Sequence, residues 1–198
     1  HQLSAACLKA LDMGQIAMVV SARMTNEELF MAGRLAEALK IDLMDVVPRP
    51  QEADGLLVSN DGNPNTNGAK LVLGIAEPGS KLNAIKAGID RGEIKALLAF
   101  DENLLKAGFS AETLKKLTFL LSSHLLANPT ADLAHVVLPS SGFAEKRGSM
   151  INVTGRLQRL NQATQPPGQV MEGWEVCRDL TQAVSGSNGL YMIEDVFK

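Results

Sequence analysis

The sequence predicts an α/β protein, Rossmann-like, with a mostly parallel sheet and helices on both faces. Three observations lead there. Short apolar runs alternate with helix-period segments of ten or so residues, Gly and Pro punctuate the junctions, and the runs are apolar throughout, as strands buried on both faces require.

The elements follow in chain order. Residues 3–12 place Ala6, Leu8 and Leu11 on one loose helical face. Gln15–Ala22 (QIAMVVSA), after Gly14, reads as a buried strand. Thr25 and Glu28 have capping-box spacing, in which hydroxyl and carboxylate satisfy orphan amides. Leu29, Ala32, Ala36 and Leu39 then recur at helical intervals, so a helix is expected over 26–40. Ile41–Val47 runs into Pro48 and Pro50, which stop regular structure. Gly55–Ser59 (GLLVS) reads as another buried strand, opening into the loop NDGNPNTNG at 60–68. Helical residues follow at 68–75, then a break at Pro78-Gly79 and a helix over 81–91 that ends at Gly92, a natural C′ residue. Ile94–Phe100 is the next strand, followed by a helical stretch at 102–117. Thr118–Ser122 and His135–Leu138 are two more strands, with a short helix at 128–134 between them. Residues 140–170 lack a period. A helix at 173–184, a Ser-Gly-Ser-Asn-Gly linker at 185–189 and a last short helix complete the chain. The expected organisation is a Rossmann-like portion at 1–139, a loop-rich segment and closing helix of the same domain at 140–184, and a linker with terminal helix at 185–198.

Composition narrows the function classes. With 198 residues and 45% hydrophobic content, the chain can bury a real core and is not a disordered tail. A net charge of −3 argues against a nucleic-acid binder with a basic field. No apolar run approaches the ~20 residues needed to span a bilayer, so no direct membrane insertion is expected. Cys7 and Cys177 offer neither a disulfide framework nor metal-ligand spacing, so a reducing compartment is expected. Met18, Met24, Met31 and Met44 read as core filling. The chain opens on His1 with no signal-peptide pattern, and is expected to be a piece of a longer protein.

Candidate sites are few. The loop Ser59–Gly68 precedes a helix at the end of an expected strand, where ligands bind in doubly wound sheets, yet it matches no phosphate-loop pattern. Charge is uneven. Residues 41–61 carry five acidic groups against Arg49, and residues 139–170 carry Lys146, Arg147, Arg156 and Arg159 against Glu145. Arginines beside Gly148 and Gly155 suit a phosphate or carboxylate, whereas a solvated surface loop explains them equally well. His135 is expected to be structural and His124 to face a cleft. No GxSxG, HExxH or paired-carboxylate pattern occurs, and no residue is expected to be catalytic or to bind metal.

Four stretches carry a resemblance. Residues 132–159 (DLAHVVLPSSGFAEKRGSMINVTGRLQR), RGEIKALLAFDENLL at 91–105, QPPGQVMEGWEV at 165–176 and TNEELFMAGRLAEAL at 25–39 resemble, in order and spacing, motifs of the molybdopterin oxidoreductase superfamily. The resemblance covers roughly residues 16–183 and implies the α/β domain of the formate dehydrogenase and dimethylsulfoxide reductase type. Within it, the branch represented by the G subunit of bacterial NADH–quinone oxidoreductase (respiratory complex I) looks closest, with NAD-linked formate dehydrogenases next. Two departures favour that branch. The family's G-x-N-P loop, which helps hold the pterin in active members, is here Asp101-Glu102-Asn103-Leu104, and the Glu of its G-T-x-x-N-x-E-G-R loop is Thr154. The resemblance carries over Glu145, Gly148, Asn152, Gly155, Arg156 and Gln158 as a vestigial pterin-cavity loop. It implies a structural piece without its own cofactor. The parent would pass electrons from NADH through iron–sulfur clusters towards quinone, with other subunits of a respiratory redox complex and upstream iron–sulfur domains of the same chain as partners. Its place would be the cytoplasmic face of the membrane. The alternatives are an active molybdopterin-dependent formate dehydrogenase, with Asn152, Arg156 and Gln158 at the pterin, and a stand-alone nucleotide-binding protein using the 60–68 loop.

Overall fold

The computed structural model describes residues 2–12, 14–186 and 193–197. Five strands, β1 (Ile16–Val20), β2 (Leu43–Val46), β3 (Ala96–Phe100), β4 (Phe119–His124) and β5 (Val136–Pro139), form one parallel sheet in the order β2-β1-β3-β4-β5. β6 (Gly148–Ile151) and β7 (Leu157–Leu160) form a separate antiparallel hairpin. The helices are α1 (Gln2–Lys9), α2 (Asn26–Leu39), α3 (Thr66–Leu73), α4 (Leu82–Asp90), α5 (Ala111–Lys115) and α6 (Gly173–Ser185). The expected fold class is what the chain adopts.

Alternation along fully buried strands divides the core in two. Met18, Val20, Leu98 and Phe100 turn to one face, where they meet α2, α6 and Leu8 of α1. Ala17, Val19, Leu97 and Ala99 turn to the other, against Leu82, Ile85 and Ile89 of α4 and Leu114 of α5. Fully burying a side chain such as Met18 or Leu98 stabilises by about 2 kcal/mol relative to exposure, so both faces must be covered. All four core methionines are buried. His135 is structural: its Nδ1 accepts from the Leu120 amide at 3.0 Å and its ring stacks on Phe119.

Several elements differ from the sequence-based expectation. Gly55–Ser59 is no buried strand but an exposed loop, with Leu56 84% and Leu57 88% accessible. Asp54 causes this: its Oδ1 accepts from the amides of Leu56, Leu57 and Val58 at 2.8–2.9 Å, which withdraws them from any sheet ladder. Those same bonds hold its carboxyl below the usual range. The helix expected over 102–117 shrinks to α5, because Asn103 Oδ1 captures the amides of Leu105 and Lys106 and Gly108 turns left-handed at φ +83°. The helix at 128–134 is a 3-10 turn, Ala131–Leu133. The 140–170 segment contains the β6–β7 hairpin. At the end of the chain, α6 runs through Ser185 and Gly186 closes it at φ +90°; residues 187–189 of the expected linker, like His1, lie outside the described residues. The terminal helix is a 3-10 turn, Ile193–Phe197.

Candidate functional site

The chain leaves β1 for β2 on one side and reaches β3 on the other. The strand order therefore reverses between β1 and β3, and ligands of open α/β sheets bind outside the carboxyl ends of the strands at such a point. Over it lie Ser21–Met24, the first turn of α2, and Asp101–Asn103.

The first turn of α2 holds two buried carboxylates. Thr25 Oγ1 accepts from the Glu28 amide at 3.2 Å and the Thr25 amide donates to Glu28 Oε2 at 2.7 Å, completing the expected capping box. The Glu28 carboxylate also accepts both 2.9 and 2.7 Å bonds from Lys146 Nζ, 118 residues away. Both side chains are almost fully buried. Glu27 accepts from the Ser149 amide at 2.8 Å and from Ser149 Oγ at 2.7 Å. Asn65 spans the same junction, donating to Met24 O and Asn26 Oδ1 and accepting from the Ile151 amide at 2.7 Å. Segments 25–28 and 146–151, read separately in the sequence, meet in one polar lock whose centre, Thr25, Glu27, Glu28, Lys146 and Ser149, is buried.

Asp101 completes it. It follows β3 with φ +53°, a left-handed conformation that costs a non-glycine residue roughly 1 kcal/mol. Its Oδ2 lies 3.9 Å from Lys146 Nζ, and its carbonyl accepts from the Arg23 guanidinium. Burial pushes its carboxyl up to about 6; Glu28 adds to that, while Lys146, Ser140 and Arg23 oppose it. Burial works against the Lys146 ammonium, yet Glu28 and Asp101 hold its pKa above the ordinary lysine value.

Beside the lock, Arg49 forks onto Glu102 at 3.1 and 2.7 Å and donates to Asn63 Oδ1 at 2.8 Å. Asn63 is itself tied to the Val47 carbonyl at 3.0 Å. The pair walls a cavity of about 540 Å³ whose lining includes Arg23, Lys106, His124 and Asn128. His124 does face this cleft, as expected, and burial pushes its pKa down, with Arg23 and Arg49 adding to the effect.

The six residues carried over by resemblance separate into two groups. Glu145 Oε2 accepts from the Gly142 amide at 2.8 Å, and Gly148 sits in the lock, where a Cβ would lie 2.5 Å from Glu27 Oε2 and 2.8 Å from Thr25 Cβ. Asn152, Gly155 and Arg156 build the hairpin turn. Asn152 Oδ1 accepts from the Thr154 amide and hydroxyl and the Arg156 amide, and Gly155 supplies φ +82°. Gln158 pairs across the hairpin with Met150 and lines a shallow cavity of about 370 Å³ with Asn152 and Asn63. In the 60–68 loop the side-chain amides of Asn63 and Asn65 are turned inward, that of Asn67 donates to the Asn152 carbonyl at 2.7 Å, and Asn60 is exposed. The pairings Glu28–Lys146, Glu27–Ser149 and Arg49–Glu102 carry no local sequence signal; only the Thr25–Glu28 spacing points to this corner.

Cys177 is buried, its thiol pushed well up chiefly by that burial, and Cys7 is exposed. Among the described residues no group of three or more His, Cys, Asp or Glu is placed to hold a metal ion, and no helix is long and apolar enough to cross a membrane.

Comparison with known proteins places this geometry in a family. The chain is 32% identical over 120 residues to the NADPH-Fe(3+) oxidoreductase subunit alpha of Geobacter sulfurreducens, covering 59% of this chain and 14% of that protein. It is 36% identical over 88 residues to the F420-dependent formate dehydrogenase subunit alpha of Methanocaldococcus jannaschii, covering 43% and 13%. It is 42% identical over 52 residues to the mitochondrial NADH-ubiquinone oxidoreductase 78 kDa subunit of Candida albicans, covering 26% and 7%. The chain thus spans a small part of each relative's length. The molybdopterin oxidoreductase family profile matches residues 62–183, more than half of the chain, which takes in β3 to β7, the Arg49 partner Glu102 and the Lys146 side of the lock. The chain belongs to the molybdopterin oxidoreductase family.

Proposed function

We propose that this chain is the α/β portion of a redox-complex subunit of the NADH–quinone oxidoreductase type, and that it works as a scaffold, docking other subunits without a cofactor of its own. The observation that carries this reading is the switch-point loop. The pyrophosphate of a pterin cofactor needs cations and close backbone at this edge. Here Asp101 and Glu102 bring two carboxylates to it, and Glu27 and Glu28 stand close behind. Lys146 is committed to Glu28, and Arg49 to Glu102. Arg23 and Lys106 still line the cavity, but with these carboxylates at its edge and Lys146 and Arg49 paired internally the residues present fit that group poorly.

In this reading the parent passes electrons from NADH through iron–sulfur clusters in its other domains towards quinone, at the cytoplasmic face of the membrane. Partners are neighbouring subunits of the complex. Metal analysis and pterin fluorescence on the full-length protein in its complex test it. The expected result is no stoichiometric molybdenum or pterin bound at this domain; a full equivalent of either overturns the scaffold role.

A formate dehydrogenase parent is the second reading. Its support is the 36% identity to a formate dehydrogenase subunit and the exposed Arg156 and Gln158 side chains beside Asn152. The same metal analysis, with formate-dependent dye reduction, distinguishes the two.

A further inference from the structure

We propose that Glu102 is a built-in counter-ion that occupies the Arg49 fork and thereby keeps phosphate-bearing ligands out of the switch-point cavity. The inference rests on the scaffold reading and supplies a physical cause for it.

A guanidinium presents parallel N–H donors that fit a carboxylate and a phosphate with the same geometry, so the two compete directly for one arginine. Arg49 stands at the carboxyl edge of the sheet, and its side chain keeps 32% of its surface open towards solvent. Glu102 is only 1% exposed and meets both terminal nitrogens of Arg49 at 3.1 and 2.7 Å. Asn63 fixes the fork from the other side at 2.8 Å. An incoming anion cannot take Arg49 without leaving the Glu102 charge buried and unpaired, a state strongly disfavoured in a low-dielectric surrounding.

The cavity itself survives. About 540 Å³ remains open beside the pair, and Arg23, Lys106 and Asn128 still line it, so space is not what excludes a ligand. Glu102 supplies the carboxylate from within, as a permanent stand-in for the anion that this position in an open α/β sheet ordinarily receives from outside.

Calorimetric titration of the full chain with inorganic pyrophosphate at low ionic strength tests this, in wild type and Glu102→Gln, with thermal melting as the check on folding. Glutamine keeps the shape and one bond to Arg49 while removing the charge. The expected result is at least about a tenfold tighter affinity in the variant, the scale of one charge-assisted hydrogen bond, with the gain abolished by adding Arg49→Gln. Equal affinity in the two proteins overturns the proposal, and so does binding in neither. Should Glu102→Gln fail to fold, Glu102→Asp replaces it, since aspartate is too short to hold both guanidinium nitrogens; a gain supports the proposal and no gain overturns it. Wild-type protein free of pterin, with no gain in either variant, sinks this inference and leaves the scaffold reading standing. Pterin in the wild type sinks the scaffold reading whatever the titration gives.

Discussion

Two stretches of one short segment behave in opposite ways. Lys146, Gly148 and Ser149 are buried against the first turn of α2, with Lys146 on Glu28 and Ser149 on Glu27, while Arg147 between them is exposed. A few positions later, residues 152–158 stand in solvent as a turn and outer strand whose hydrogen bonds are mostly internal. A single motif therefore contains a structural anchor and a displayed tip. Its residues cannot share one role, and substitutions in the two halves should separate cleanly.

The largest effect is expected at Lys146. Lys146→Met leaves Glu28 and Asp101 buried without their cation, a loss of about 3–5 kcal/mol read from the urea midpoint. A cost under about 1 kcal/mol would erase the distinction between anchor and tip. Asp101→Asn probes the same cluster through pH. The folded carboxyl sits at about 6 against an ordinary 3.8. The native state therefore binds the extra proton between those values, and wild-type stability falls as pH rises from about 4 to about 6. The variant should match wild type near pH 4 and exceed it by up to about 3 kcal/mol at pH 8, at 1.36 kcal/mol per unit. A difference independent of pH would remove Asp101 from the cluster.

Gly148→Ala comes next. Its Cβ would press on Glu27 and Thr25 across the lock, costing about 1–3 kcal/mol in thermal melts. Asn152→Ala unties three donors in the turn and should cost about 1 kcal/mol, without changing the environment of Lys146. Smallest of all is Arg156→Ala with Gln158→Ala. Both side chains are exposed, so stability should stay within about 0.5 kcal/mol, and a larger loss would show that the tip is load-sharing with the anchor.

Much of the sheet was legible in the sequence because β1 and β3 are apolar without interruption, and only a strand covered on both faces needs that. The capping box was legible because its two members lie three residues apart. Leu56-Leu57-Val58 misled because apolarity cannot report that Asp54, just upstream, will capture their amides. The β6–β7 hairpin was hidden by β7, whose residues are largely exposed and leave no clean alternation. The uneven charge of 41–61 and 139–170 pointed to electrostatics but not to the pairs. Arg49 meets Glu102 and Lys146 meets Glu28, partners separated by 53 and 118 positions, and tertiary packing alone brings them together.

The Glu28 carboxylate serves two masters: it caps its own helix and it receives an ammonium from far along the chain. During synthesis the start of α2 emerges long before residue 146 does, and for that interval Glu28 has no cation and Glu27 no serine to meet. Contacts this distant in sequence close late and slow the search for the native state. The helix can begin early, but its secure attachment is a terminal event, so truncation upstream of Lys146 should yield a chain that is collapsed yet readily digested by protease.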